Sequence, residues 1–471
     1  MDFKNKATKI DLFNFKMPQM RAFHLTWFAF FLCFFGWFGI VPLIKPTGGV
    51  QETLGLTADQ LGNSIILAVA GTIFARLLIG QLSARFGSRK MYVILLVLGS
   101  IPVMGIGLSQ NFWQFALARF LIGLIGASFV ITQYHTSVMF APNVVGTANA
   151  FTAGWGNLGG GVTQFAMPVI AGMIASNLMG SAYPAEAWRY AMIVPGIAMI
   201  LTAAAYWYLT TDAPDGNYDD LRAKGEMPPL KDTSGTFAEA SKDKRVWALF
   251  FVYAICFGIE LTMNGTLALY FGSSVAEGGL GMGAKTAGLA AASFGLMNLF
   301  ARATGGWFSD RFNKASGLKG RVRFLFLTLF LEGVFLIMFS QMKALPIALI
   351  MLVTFSLFVQ MAEGATFGIV PYVNKRSLGA VAGIVGAGGN LGAVLFGFLF
   401  KTKLNFTSIS WEKLSFSTAY MILGIIVVSL SFLAFLVRFS PAEEEAALKE
   451  TQARLGGDAT GGLGPVPVPA D

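Results

Sequence analysis

Two arginines stand in matching sentences of this chain. Arg76 is followed by Gly80, Ser83, Arg85 and Phe86, and Arg302 by Gly306, Ser309, Arg311 and Phe312, at identical spacings. Each lies in a strongly apolar stretch, SIILAVAGTIFARLLIG and LAAASFGLMNLFARATGG. There a charge costs roughly 3 kcal/mol or more, so it is expected to face a protein interior or a watery cavity. A guanidinium is planar, permanently charged and donates two parallel hydrogen bonds, so a pair of them suits a small planar oxyanion better than two lysines would. The competing use is to tie helices together through carbonyls or an acid. The absence of an equally repeated acid favours the anion.

Other residues repeat with them. Gly126-Ala127-Ser128-Phe129 matches Gly364-Ala365-Thr366-Phe367, with Tyr134 and Tyr372 at the same offset, and Asn157-Leu158-Gly159 matches Asn390-Leu391-Gly392. Phe129 and Phe367 could close the two faces of a flat anion and exclude water, although aromatics in apolar helices also serve as packing. Tyr253 offers a hydroxyl within an apolar run. Asn157 and Asn390 carry amides that need a partner at lipid depth and could donate to an anion. The glycines around them, Gly154, Gly156, Gly159 and Gly160, then Gly388, Gly389 and Gly392, read as close helix packing. The G-x-G-x-x-G they spell lacks the strand and βαβ unit of a dinucleotide site.

Glu260 and Glu363 are acids where acids are rare, at helical spacing from Tyr253 and Phe367 respectively. Either could carry a proton or balance Arg119 or one of the two repeated arginines. His135 could titrate near neutral pH or be structural. Cys33 and Cys256 both fall in expected helices and form no disulfide framework or metal cluster. No nucleophile and base pair stands out, no cofactor is called for, and no G-x-x-x-x-G-K-[ST] powers the chain. The expected driving force is an ion gradient or exchange.

The elements that must position these residues are membrane helices. The chain is 55% hydrophobic and 13% charged, with 44 Phe, 55 Gly and mean hydropathy +0.63, against roughly 25% charged residues in soluble domains. A crossing takes about 20 mostly apolar residues, and such stretches fall at 23–45, 59–84, 89–109, 111–139, 144–175, 188–211, 245–272, 283–310, 322–341, 344–372, 378–401 and 415–438. The pattern predicts an all-α membrane protein of twelve helices in two six-helix bundles, because in lipid the backbone must satisfy itself. Basic residues crowd the segment before the first helix and the second, sixth and eighth connections, which puts both termini in the cytoplasm. The net charge of +9 is mostly this topology signal, and its scatter argues against nucleic acid. The domains are a cytoplasmic segment 1–22, a six-helix bundle 23–212, a polar linker 213–244, a second bundle 245–438 and a tail 439–471. The tail opens with a short helix and ends in a stretch too poor in apolar residues to order itself. No cleavable signal peptide is expected, since the first apolar run is long and no small-residue cleavage site follows.

Gly80-Gln81-Leu82-Ser83-Ala84-Arg85-Phe86-Gly87-Ser88-Arg89-Lys90, with its partial copy from Gly306 to Arg311, resembles the loop signature of the major facilitator superfamily. Asp310 keeps the usual acid of that signature, whereas Ala84 replaces it. Arg119-Phe120-Leu121-Ile122-Gly123 resembles the fourth-helix motif of that superfamily's proton symporters. The glycine-rich segments, with FGIELT (257–262), FARATGGWFSD (300–310) and AEGATFGIVPYVNKRSLG (362–379), resemble the nitrate/nitrite porter family. The likeness is to its plant, fungal and cyanobacterial high-affinity nitrate importer branch, and it covers nearly all twelve helices. The resemblance implies that Arg76 and Arg302 clamp nitrate, Phe129 and Phe367 sandwich it, and Asn157 and Tyr253 hydrogen-bond it, with Asn390 in the second signature. It further implies import of nitrate with protons by rocking of two bundles, Glu260, Glu363 and Arg119 being the coupling candidates.

The expected function is therefore a nitrate:proton symporter of the cytoplasmic (inner) membrane, a monomer whose partners are nitrate, protons and the bilayer, with nitrite as a further substrate. Two positive charges facing one monovalent anion leave a surplus, which would make the empty carrier reluctant to reorient. The alternatives are nitrate/nitrite exchange in the same fold, an anion channel, and an intramembrane enzyme, which lacks a candidate catalytic residue or metal site.

Overall fold

Apolar runs of this length leave their backbone groups only one another as partners, and the computed structural model is accordingly almost entirely helical. It describes residues 3–44, 49–177, 186–229, 236–275, 278–282, 284–400 and 414–456. The main helices are α1 (Pro18–Phe38), α2 (Ala58–Phe86), α3 (Ser88–Gly105), α4 (Phe112–Met139), α5 (Val145–Asn177), α6 (Ala187–Leu209), α7 (Lys244–Gly272), α8 (Ala284–Leu296), α9 (Ala301–Ser340), α10 (Leu345–Val373), α11 (Leu378–Gly397), α12 (Phe416–Ser431) and α13 (Pro441–Gly456). Among the described residues ten helical stretches are long and apolar enough to cross a membrane, eleven when the two parts of α5, bent by 43°, count as one. Pro168, which lacks a backbone donor, lies just past that bend.

Local chemistry sets the ends. Thr57 and Gln60 form a reciprocal capping box at the start of α2, with Gln60 N donating to Thr57 Oγ1 at 3.2 Å and Thr57 N to Gln60 Oε1 at 2.9 Å. α1 begins at Pro18, earlier than the apolar run at 23, because proline is preorganised for a first turn. α9 is the main departure from the expected boundaries. Its 40 residues run through the basic connection and break only at Ser316 (φ −144°) and Gly317 (φ 65°). Arginine and lysine are good helix formers, so the reversal falls on the glycine, which alone adopts the left-handed conformation without strain. The first arm of α9 carries Arg302 and the second carries Glu332. The linker contains helices Tyr218–Ala223 and Thr236–Lys242, and α13 is the short tail helix expected from sequence. Tail residues 457–471 and linker residues 230–235 lie outside the described residues.

The two sequence halves meet most tightly at the end that carries the linker. A Cβ on Gly80 of α2 would stand 2.0 Å from Gly379 O of α11, and one on Gly306 of α9 would stand 2.4 Å from Gly146 O of α5. Beside the second crossing, Asp310 bridges the halves. Its Oδ2 accepts from Thr147 N at 2.7 Å and Thr147 Oγ1 at 2.6 Å, in the first turn of α5, where a carboxylate also meets the positive end of the helix dipole. Its Oδ1 pairs with Arg321 Nη2 at 2.6 Å, and Arg321 donates onward to Pro142 O at 3.2 Å. At the first crossing Ala84 supplies no acid. There Asp212 turns inward within its own half, accepting from Arg89 N at 2.8 Å and Tyr218 N at 3.2 Å. Burial raises the Asp212 carboxyl above the usual carboxylate range, against the lowering effect of those two N–H donors.

Asp310→Asn should destabilise the protein by about 3–5 kcal/mol, because it strands the buried Arg321 without its counter-charge. Melting of the purified protein checks this. Recovery in the Asp310→Asn/Arg321→Gln double variant is the expected companion result, and an unchanged melting temperature in the single variant would exclude a structural role for the pair.

The segment before α1 is also anchored at this end. Ala7 pairs with the α4–α5 corner through Ala7 N to Met139 O (3.0 Å) and Ala141 N to Ala7 O (2.9 Å), Asn143 Nδ2 donates to Thr8 O at 2.7 Å, and Phe3 stacks on Tyr218.

Candidate anion site

The arginines sit where helices lose their regular hydrogen bonding. α4 passes through a 3-10 turn at Leu124–Ala127, just before Phe129. A second 3-10 turn at Met297–Leu299, followed by the non-helical Phe300, places Arg302 at the start of α9. Such interruptions at mid-depth are tolerated where backbone groups find partners inside the protein. Arg76 uses one of them, donating Nε to Gly126 O at 3.1 Å, and it reaches across to the other half with Nη1 on Gly386 O at 2.7 Å. Arg302 Nη2 donates to Tyr253 Oη at 3.1 Å and pairs with the Glu363 carboxylate. Both guanidiniums are buried, at 0% and 1% exposure. Among the described residues each keeps one terminal nitrogen without an acceptor, Nη2 of Arg76 and Nη1 of Arg302.

The two cations share the same aromatic surfaces. The Arg76 guanidinium lies 4.9 Å from the Phe129 centroid and 5.2 Å from that of Phe257, and the Arg302 guanidinium lies 5.8 Å from each. Cation–π attraction of this kind, strengthened by desolvation, is worth about 2 kcal/mol at best. It therefore supplements hydrogen bonding and does not replace it. Phe129 stacks with Tyr253 (5.7 Å, 14°) and Phe257 (6.0 Å, 11°), but meets Phe367 edge to face at 4.8 Å and 87°. Phe129 and Phe367 thus touch one another in this conformation and do not form two parallel walls with a gap between them.

Of the residues singled out from sequence, Arg76, Arg302, Phe129, Phe367, Tyr253 and Glu363 converge here. Glu363 settles one open choice, since it pairs with Arg302 and not with Arg119. The surplus of positive charge inferred from sequence is correspondingly smaller, because Glu363 is within the cluster. Asn157 belongs to an adjoining polar group: Glu260 accepts from Asn157 Nδ2 at 3.3 Å and from Asn298 Nδ2 at 2.6 Å. The Glu260 carboxyl lies within electrostatic range of Glu363. Asn390 is fully buried, and among the described residues neither amide atom has a partner. Arg119 donates to Trp37 O at 3.3 Å on α1 and shares no hydrogen bond with the cluster.

The glycines do what close packing requires. A Cβ on Gly154 would stand 2.7 Å from Asn298 O, on Gly156 1.8 Å from the Phe30 ring, on Gly159 2.1 Å from Phe31 O, and on Gly160 3.2 Å from the Phe38 ring. On α11 the corresponding distances are 2.3 Å from Gly388 to Phe250 O, 2.5 Å from Gly389 to the Phe257 ring, and 2.2 Å from Gly392 to Ala254 O. His135 is a buried structural residue, between Tyr206 Oη at 2.6 Å and Thr211 O at 2.8 Å. The repeated Tyr134 and Tyr372 line one cleft between the halves at the linker end. Cys33 and Cys256 are buried free thiols, and no group of metal-ligating side chains occurs among the described residues.

The sequence reading missed Phe257, Asn298 and Glu332. Asn298 and Glu332 carried the same signal as the residues that were found, a polar group in an apolar run, but lacked a repeated copy. Phe257 opens the FGIELT segment, but nothing in the residues gave it a site role apart from the other phenylalanines.

Paired central arginines, interrupted helices and glycine-lined crossings between two sequence halves accord with the pattern of the Major Facilitator Superfamily, which matches residues 26–396. The chain belongs to this superfamily, within its nitrate/nitrite porter family. It is 38% identical over 439 residues to high affinity nitrate transporter 2.5 of Arabidopsis thaliana, covering 93% of this chain and 84% of that protein. It is 31% identical over 462 residues to the nitrate/nitrite transporter NrtP of a Picosynechococcus species, covering 80% and 84%. In fold it is similar to the proton:xylose symporter XylE, with TM-score 0.66 at 16% identity over 92% of this chain and 99% of that one. These similarities and the apolar helices make the protein a multi-pass membrane transporter.

Proposed function

We propose that the protein imports nitrate with protons across the cytoplasmic membrane, through twelve crossings arranged as two six-helix bundles that rock about the arginine pair. The observation that carries this reading is the pair of buried guanidiniums over shared rings, each with a terminal nitrogen that lacks an acceptor. A buried donor without a partner costs about 1–3 kcal/mol, more when charged. Nitrate is flat, singly charged and offers three acceptor oxygens, so one ion satisfies both donors at once. Its entry separates the edge-to-face contact of Phe129 and Phe367 and sets the ion against aromatic surfaces that exclude water. Nitrate transport by the named relatives supports the substrate, and basic residues flanking the linker end support its placement in the cytoplasm.

Glu363 supplies the coupling. In the empty site its carboxylate neutralises Arg302, and nitrate competes for the same guanidinium. Protonation of Glu363 releases Arg302, and the arriving anion replaces the lost negative charge. The central charge is then the same with Glu363 ionised and no nitrate as with Glu363 protonated and nitrate bound. Reorientation in either state moves the same charge, whereas nitrate alone or a proton alone changes it. Binding of one therefore favours binding of the other. Glu260, held by Asn157 and Asn298, lies beside Glu363.

Purified protein in liposomes tests this with nitrate uptake, internal pH and counterflow measured together. Wild type should acidify the lumen as nitrate enters and should ignore chloride. Glu363→Gln should lower nitrate-linked proton entry by roughly tenfold or more, the loss expected when a single proton-carrying group is removed, while retaining counterflow. Uptake that requires internal nitrite and ignores the pH gradient would replace symport by exchange.

A further inference from the structure

Glu332 is the acid that the proposed cycle does not use. It stands on the second arm of α9 with no exposed surface, and no hydrogen-bond donor among the described residues reaches either carboxyl oxygen. The next residue, Gly333, packs against α12, where a Cβ would stand 2.7 Å from Val428 N and 2.8 Å from Gly424 O. Helix α12 contains no acidic or basic residue. From α7 the titratable neighbour is Cys256, and from α10 it is Glu363, both within electrostatic range. Arg302 and Tyr253 lie beyond Glu363, and Arg302 is already paired with it. Cys256 Sγ, which donates to Tyr253 O at 3.8 Å, is the side chain that both acids act on.

A carboxylate needs donors or a cation, and this pocket offers neither. The pocket fits the neutral acid. An apolar side chain would fill the same space at lower cost, so an ionisable group kept at this depth calls for a use.

We propose that Glu332 is a second proton-carrying residue of the transport cycle, which exchanges its proton with Glu363. The inference rests on the symport reading above. In the transfer the O–H bond of Glu332 breaks, a bridging water admitted as the helices shift passes the proton, and an O–H bond forms on Glu363. The negative charge moves from Glu363 to Glu332, which leaves Arg302 free for nitrate. Water from the side on which nitrate enters reprotonates Glu332 before the carrier turns, so one proton from that side accompanies each nitrate and Glu363 releases it on the other side.

The test uses full-length protein in liposomes with a trapped pH dye, comparing wild type, Glu332→Gln and Glu332→Asp. Glu332→Gln should reduce nitrate-linked proton entry by roughly tenfold, as expected when one group of a relay can no longer release a proton, with counterflow reduced less than about threefold. Glu332→Asp, which keeps a carboxyl, should restore most of the proton flux and shift its pH profile. Wild-type proton coupling in Glu332→Gln would overturn the proposal. So would equal loss of counterflow and proton entry in folded Glu332→Gln, which would make the residue structural. If wild-type protein itself moves nitrate without protons, the symport reading fails first and this inference falls with it.

Discussion

Replacing either central guanidinium by an ammonium, as Arg76→Lys or Arg302→Lys, is expected to lower nitrate uptake about 100-fold. Arg76 makes two hydrogen bonds through fixed nitrogens, to Gly126 O and Gly386 O, and still presents a third. A lysine ammonium keeps the charge but lacks the planar fork, so it cannot serve two carbonyls and an anion in the same plane. Losing one charge-assisted hydrogen bond at about 1.5–3 kcal/mol corresponds to roughly ten- to somewhat over a hundredfold in affinity. The loss should appear in the nitrate concentration dependence and be larger for nitrate than for any residual chloride leak. At Arg302 the lysine can still pair with Glu363, so a folded, inactive protein is the expected outcome. Uptake within about threefold of wild type in either variant would mean that point charge alone binds the anion, and the clamp would be wrong.

Gly379→Ala is expected to stop transport without touching the anion site. Its Cβ would stand 2.0 Å from Gly80 O, and the reciprocal change at Gly80 meets Gly379 O at the same distance. Backbone oxygen cannot swing aside as a side-chain tip can, so the helices must separate. Overpacking of this kind costs about 1–3 kcal/mol, which shifts the population closed at the linker end by roughly five- to more than a hundredfold. A cysteine placed at Tyr134, in the cleft at that end, reports the change. Its labelling by a membrane-impermeant maleimide should rise in Gly379→Ala, against a low background because Cys33 and Cys256 are both buried. Gly161→Ala and Gly172→Ala are the controls, since a Cβ there meets nothing within 4 Å. Unchanged labelling and uptake in Gly379→Ala would show that this crossing does not set the closure.

The sequence was informative wherever a residue violated its surroundings. Arg76 and Arg302 are charges in apolar runs, and their repetition singled them out together. Glu260 and Glu363 stood out for the same reason, and the glycines of α5 and α11 by density. What the sequence lacked was distance between helices. Glu363 was visible as an acid, but only the packing of α9 on α10 shows which arginine it pairs with. Asn157 was read toward the anion by its repeat, yet Glu260 lies closer to it than any arginine does by hydrogen bonding. Ala84 was visible as a missing acid, whereas the inward role of Asp212 depends on how the chain after α6 folds back. The Phe129 and Phe367 repeat fixed residue type and depth, while ring orientation depends on Phe257, which composition hides among its neighbours. Duplication in the chain was easy to read, and the asymmetry imposed on it by Glu363 and Asp310 was not.

The described segments near the two ends of the chain hold to different halves. Ala7 and Thr8 hold to the α4–α5 corner, while α13 is tied to the second half by Arg245 to Glu443 (2.8 Å), Lys319 to Glu444 (3.7 Å) and Lys375 to Glu450. If the halves rock as proposed, Ala7–Thr8 and α13 would each move with the half that holds them. The exposed Phe13 and Leu448 therefore form the two ends of a natural ruler. Dyes attached there would read the swing of one half against the other while leaving the hinge and the ion path unmarked.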